Sequence, residues 1–125
     1  MTGREVAALA RRGSEDFGLY VRQLRQAKAM TQEQVAERVG VTLAYYNKAC
    51  ERGVLPPPSA EVLDKLAVVL ETDRDELFAQ AGQIPPEVLE ALRGRPDLYA
   101  LVRASEVLEP DQVRRLIALA KEVAE

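Results

Sequence analysis

Apolar residues recur at intervals of three and four along nearly the whole chain, and no stretch alternates with the period of two that a half-buried strand requires. An all-α fold is expected. Gly and Pro interrupt the pattern about a helix length apart and mark where each element stops. A weak first helix is expected over 4–12, ending near Gly13. A stronger one follows, with Ser14 as N-cap and Phe17, Tyr20, Val21, Leu24 and Ala27 or Lys28 as a core-facing stripe.

Thr31-Gln32-Glu33-Gln34 reads as a capping box, in which the Thr31 hydroxyl accepts from the amide three residues on while the Gln34 side chain reaches back. Val35, Ala36 and Val39 form the apolar face of that helix, and Gly40 ends it after about two turns. Thr42 can cap the next helix, which carries residues 43–50 before a stop at Glu51-Arg52-Gly53. Pro56-Pro57-Pro58 forms a stiff extended connector. Ser59 then caps a helix over 61–71 that buries Leu63, Leu66, Ala67 and Leu70. Asp73 to Glu76 reads as a second capping box ahead of Leu77, Phe78 and Ala81, with Gly82 as the stop.

Pro85-Pro86 marks a boundary. Helical patterns follow over 86–93, 96–104 and 110–124, with Pro at or near the first position of each. The last has Val113, Leu116, Ile117, Ala120 and Val123 on one side, Asp111 at its start and Lys121 near its end. About 40 residues in three short helices cannot build a robust core alone. This segment must therefore pack on the first five helices, on a second copy of itself, or on both.

Composition narrows the chemistry. The 125 residues, 47% apolar and 30% charged, suit one domain or a small domain with an appendage. The longest apolar run, 66–70, falls far short of the ~20 residues that cross a bilayer, and no signal-type apolar core opens the chain. A cytoplasmic protein with no membrane partner is expected. There is no histidine, the commonest metal ligand and general base, and the single cysteine, Cys50, cannot form an internal disulfide. The seven glycines are scattered, so no phosphate-cradling loop forms. These features point away from an enzyme and from any cofactor. Cys50 is most simply a small buried hydrophobe rather than a redox sensor.

Charge is uneven along the chain. Residues 17–58 hold six basic side chains (Arg22, Arg25, Lys28, Arg38, Lys48, Arg52) against three acidic ones, whereas residues 59–125 hold eight basic and fourteen acidic. A polyanion needs positive potential at the contact face, whatever the overall charge, which here is −3. The only net-basic third contains the two short helices.

Those helices carry a resemblance. The succession Phe17-Gly18, Val21-Arg22-Gln23-Leu24-Arg25, Thr31 to Ala36, Val39-Gly40-Val41-Thr42, Tyr46, Glu51-Arg52-Gly53, Pro58-Ser59, Leu63, Leu66-Ala67 and Leu70 resembles the helix-turn-helix domain of the Cro and phage-repressor type, also called the xenobiotic-response-element type. The resemblance covers about 14–82 and implies a five-helix repressor-type DNA-binding domain with a short C-terminal helical extension. The resemblance leaves 1–13 as an N-terminal arm or short helix and 83–125 as a helical segment, to which dimerisation is assigned below, on either side of the helix-turn-helix domain (14–82). It further implies that positions 43, 44, 47 and 48 face bases and that Thr31 and Gln32 dock on phosphate.

Elementary geometry agrees. An α-helix fits a DNA major groove, and its N-terminal residues reach the base edges. Thr42, Leu43, Ala44, Tyr45, Asn47 and Lys48 are the resulting candidates. Asn47 suits adenine, Lys48 suits guanine, and Leu43 and Ala44 suit thymine methyls. Arg22, Arg25, Lys28, Arg38 and Arg52 are read as phosphate-contacting or surface charges. Adjacent helical residues point about 100° apart, so Tyr46 is assigned to the core and Tyr45 to the surface.

The stretch from Gly40 to Gly53 is one residue longer than the resemblance would have it. Either Ala49 or Cys50 is expected to take the core position ahead of Glu51. Useful specificity on duplex DNA normally comes from two domains on a two-fold axis, so a dimer interface is assigned to Val113, Leu116, Ile117 and Ala120. The expected function is a dimeric transcriptional repressor. The alternative is an interaction module, an antitoxin or adaptor, whose C-terminal helices hold a protein partner.

Overall fold

The computed structural model describes residues 16–125, which are helical with no strand among them. The helix expected at 4–12 and the Ser14 cap lie outside the described residues. The chain divides into two compact units, with the division between Pro86 and Glu87.

In the first unit, α1 covers 16–27. It buries Phe17 and Val21, with Tyr20 and Leu24 leaning on the same cluster. Gly18 is what allows α1 to sit so close. A Cβ at this position would lie 2.1 Å from the carbonyl oxygen of Glu51, so the two backbones touch with no room for a side chain.

Helix α2 (Gln32–Val39) starts with the complete Thr31–Gln34 capping box. It buries Val35, Ala36 and Val39 on one face. Gly40 ends it at φ +89°, in the left-handed region, and its amide and that of Val41 both donate to the Ala36 carbonyl, at 2.9 and 3.0 Å. The chain then turns into α3 (Leu43–Tyr45), where the Thr42 hydroxyl accepts from the Tyr45 amide at 3.1 Å.

After a single turn, α3 widens into a π-helical segment, Tyr46–Glu51. The Arg52 amide donates to the Asn47 carbonyl, five residues back, at 2.8 Å. This is how the chain absorbs its extra residue. The expectation that one of Ala49 and Cys50 would take the core position is corrected, because both do, at 2% and 1% exposure. A wider turn takes one more residue per revolution, and Tyr46, Ala49, Cys50 and Glu51 all face the interior.

Ser59 caps α4 (Ala60–Leu70), which buries Leu63, Leu66, Ala67 and Leu70 as its apolar spacing predicts. Asp73 caps α5 (Arg74–Gln80) by accepting from the Glu76 amide at 2.9 Å. The return bond of a full capping box is not formed there. Leu77, Phe78 and Ala81 close the core against α4.

The second unit is a run of three helices, α6 (Pro86–Leu92), α7 (Pro96–Ser105) and α8 (Pro110–Ala124), within one or two residues of the ends expected from sequence. Proline at the first turn starts α7 and α8, and Glu109 with Gln112 adds a capping box to α8. No residue of 87–125 is buried.

Candidate nucleic-acid interface

The leading end of α3 is open to solvent among the described residues. Thr42, Leu43 and Ala44 are exposed, Leu43 at 46%, and Lys48 is exposed further along. Both Thr31 and Thr42 use their hydroxyl oxygens as acceptors for helix amides, which leaves each O–H free to donate outward. Tyr46 is fully buried, as assigned. Tyr45, assigned to the surface, is half-buried against the core cluster, so its position is intermediate.

Beneath this end lies a buried carboxylate, which in the sequence stands out only as part of a helix stop. Glu51 is 4% exposed. Its Oε2 accepts from Arg25 Nε at 2.7 Å and from the Tyr46 hydroxyl. Its Oε1 accepts from Arg25 Nη2 at 3.1 Å, Gln32 Nε2 at 3.1 Å and Arg22 Nε at 3.4 Å. Burial alone would push this carboxyl up, but the hydrogen bonds from Arg25, Tyr46 and Gln32 and the Arg25 charge outweigh it and hold it below the usual carboxylate range. Burial, with Glu51 alongside, drives the Tyr46 hydroxyl well up, so it stays a donor. Arg25, bonded to Glu51, is held in its charged form above the ordinary arginine value.

The two candidates from different helices meet here. Asn47 Nδ2 donates to Gln32 Oε1 at 3.0 Å, so Gln32 bridges the half-buried Asn47 and the buried Glu51. Thr42, Leu43, Ala44 and Lys48 make no such link.

The six cations of 17–58 divide in the same way. Arg25, expected to be a surface or phosphate-contacting charge, has a side chain only 13% exposed and is committed to Glu51, so that expectation is corrected. Arg22 also leans on Glu51, and Lys28 pairs with Glu71. Arg38, Lys48 and Arg52 make no ion pair among the described residues; Arg38 Nη1 lies 3.9 Å from the Met30 sulfur. They come from the last turn of α2, from the π segment and from the residue after it. Cys50 is buried, and burial pushes its thiol up to about 12, far from the range of a reactive thiolate.

Glu51 had one sequence signal. A glycine inside a helix, here Gly18, costs about 1 kcal/mol relative to alanine and usually marks a close approach. Nothing in the sequence says that the approaching backbone is that of residue 51.

In the second unit, Leu101, Ser105, Val113, Leu116, Ile117 and Ala120 line a shallow apolar groove of about 160 Å³ between α7 and α8. Leu116 and Ile117 are 37% and 49% exposed, and Val113 is half-buried.

Residues 16–80 match a family model described as a helix-turn-helix domain. The chain is 34% identical over 92 residues to the uncharacterized HTH-type transcriptional regulator RghRB of Bacillus subtilis (strain 168), an alignment covering 71% of this chain and 66% of the relative. It is 34% identical over 76 residues to each of the uncharacterized HTH-type transcriptional regulators MT0491 and Rv0474 of two Mycobacterium tuberculosis strains, covering 61% of this chain and 53% of each relative. The match thus spans under two-thirds of the first relative's length and about half that of the other two. A solved structure, the SinR protein/SinI protein complex, aligns over 86% of this chain and 97% of its own at 22% identity and a TM-score of 0.48.

Proposed function

For a chain that belongs to the helix-turn-helix domain family, we propose that residues 16–86 bind double-stranded DNA in the manner of the Cro and phage-repressor type, as part of a transcriptional regulator. The observation that carries the reading is the solvent-open start of α3, with Lys48, Arg38 and Arg52 as the cations not spent on ion pairs among the described residues.

In this reading α3 enters the major groove. Thr42, Leu43, Ala44, Asn47 and Lys48 meet base edges, with Tyr45 at the margin, while Thr31 and Gln32 set the start of α2 against phosphate. The readout is short, because beyond Lys48 the π segment turns Ala49, Cys50 and Glu51 inward. The α7–α8 groove, with Val113, Leu116, Ile117 and Ala120, joins two copies so that two such ends address one operator. Occupancy of an operator is enough to block transcription, which makes repression the simplest outcome.

Selection of bound fragments from random duplex DNA tests this. Recovery of a two-fold symmetric site, bound more weakly as salt rises, supports both DNA binding and pairing. No enrichment refutes the DNA reading. Lys48→Ala with Asn47→Ala should cost ~1–3 kcal/mol of operator preference per lost base contact with folding unchanged. The exposed apolar groove favours one other reading, that of an interaction module whose α7–α8 face holds a different protein. A stable complex with a distinct polypeptide, formed by protein without DNA affinity, would favour it.

A further inference from the structure

We propose that Glu51, which no DNA can reach, is a positioning residue that sets which way Asn47 presents its amide to a base, acting through Gln32. The inference rests on the DNA-binding reading above and adds a determinant of specificity to it.

Donor and acceptor chemistry fixes the orientation along a chain of three side chains. An ionised carboxylate only accepts hydrogen bonds. Five donor groups converge on the two oxygens of Glu51, with Tyr46 and Glu51 buried and the Arg25 side chain only 13% exposed. Gln32 can therefore face Glu51 only through its NH2 group, which turns its carbonyl Oε1 toward Asn47. Asn47 must answer with an N–H. What it keeps is Oδ1 and one further N–H, an acceptor and a donor on one planar group. That is the pair needed to bond adenine N6–H and N7 together in the major groove. An amide whose ends could exchange would present that pair in either order and would read no base strictly.

Gln32 keeps one N–H as well, free for a phosphate oxygen. Its phosphate contact and the base contact of Asn47 thus share one orientation. A buried charge dictates the polarity of a surface group about two side chains away, at a position where the recognition helix has few other polar groups.

Three variants separate the links. Asn47→Ala removes the reader, Gln32→Leu cuts the relay while leaving the Glu51 pairs with Arg25 and Tyr46, and Glu51→Gln lets the Gln32 amide turn over. The first measurement is the affinity ratio between the selected site and the same site with its Asn47-contacted adenine replaced. The wild type should favour adenine by about tenfold or more. The ratio should fall to near one in Asn47→Ala and Gln32→Leu and fall at least severalfold in Glu51→Gln, each checked for folding by thermal melting. Phosphate contact loss alone would weaken binding to both sites equally and leave the ratio intact.

The second measurement needs no DNA. In the free protein, one side-chain amide N–H of Gln32 and one of Asn47 should exchange slowly with solvent, and Asn47 should lose that protection in both Gln32→Leu and Glu51→Gln. A folded Gln32→Leu protein with the wild-type base ratio overturns the proposal, as does a wild-type Asn47 amide with neither N–H protected. If the wild type binds no duplex while the amide protection behaves as expected, the relay stands as a structural device. In that case the DNA reading, and with it the assigned specificity, falls.

Discussion

Residues 16–86 and 87–125 are similarly rich in apolar side chains, yet sixteen apolar residues are buried in the first and none in the second. Apolar content is therefore a poor guide to burial. The first unit has five helical elements, enough to enclose an interior from several sides, and α4 covers α2 while α5 covers α4. Three short helices over about 40 residues cannot enclose anything, so their stripes stay at the surface however regular their spacing. The polar chemistry divides along the same line. A buried position lets Glu51 act as a hub with Arg25. The pairs of the second unit, Arg93 with Glu90 and Arg95 with Asp97, are solvent-exposed and hold little.

The contrast can be broken most severely at its buried charge. Glu51→Ala leaves Arg25 buried without its partner and should cost the first unit about 3–5 kcal/mol in urea unfolding. A loss below ~1 kcal/mol would mean the hub is better hydrated than its burial implies. Leu66→Ala, fully inside, should cost about 2–5 kcal/mol through the cavity it leaves. Gly18→Ala pushes a methyl into the Glu51 carbonyl and should cost at least ~1–3 kcal/mol, appearing as an altered spectrum for α1 and the π segment.

The second unit should behave in the opposite way. Leu116→Asp, on an exposed stripe, should leave the unfolding free energy of residues 16–86 in urea within about 0.5 kcal/mol of wild type, and if the α7–α8 groove joins two copies as proposed, the variant should sediment as a monomer. A dimer that survives this change is joined elsewhere.

Acid sharpens the comparison further. Glu51 has a folded-state carboxyl held below its ordinary value, so the folded protein binds fewer protons there than the unfolded chain. Its contribution is present above the ordinary carboxyl range and fades as pH falls through the lowered value. The stability gap between wild type and Glu51→Gln should therefore be full near neutrality and shrink below about pH 4. The smallest effect is expected at Cys50. Its thiol, buried and pushed up to about 12, should react with a disulfide reagent only as fast as the unit opens.

Much of the fold was readable along the chain because it is local. Helix ends follow from caps within three residues, and Thr31, Thr42, Ser59 and Asp73 all cap as their spacing predicts. Apolar stripes follow from the 3.6-residue period, which named Leu63, Leu66, Ala67 and Leu70 correctly. The surplus residue between Gly40 and Gly53 was visible only against the family the chain resembles. Its resolution was not, since a wider turn and a displaced side chain satisfy the same count.

Where the order of residues along the chain suffices, the deciding interactions span at most four or five positions: element type, element ends, the inward stripe, the turn at Gly40. The Glu51 hub joins residues 22, 25, 32, 46 and 51 from three elements, and Asn47 reaches it only across Gln32. Packing chose those partners. A carboxylate taken out of water must find donors wherever the fold brings them, and that meeting depends on how helices cross rather than on any spacing between neighbours.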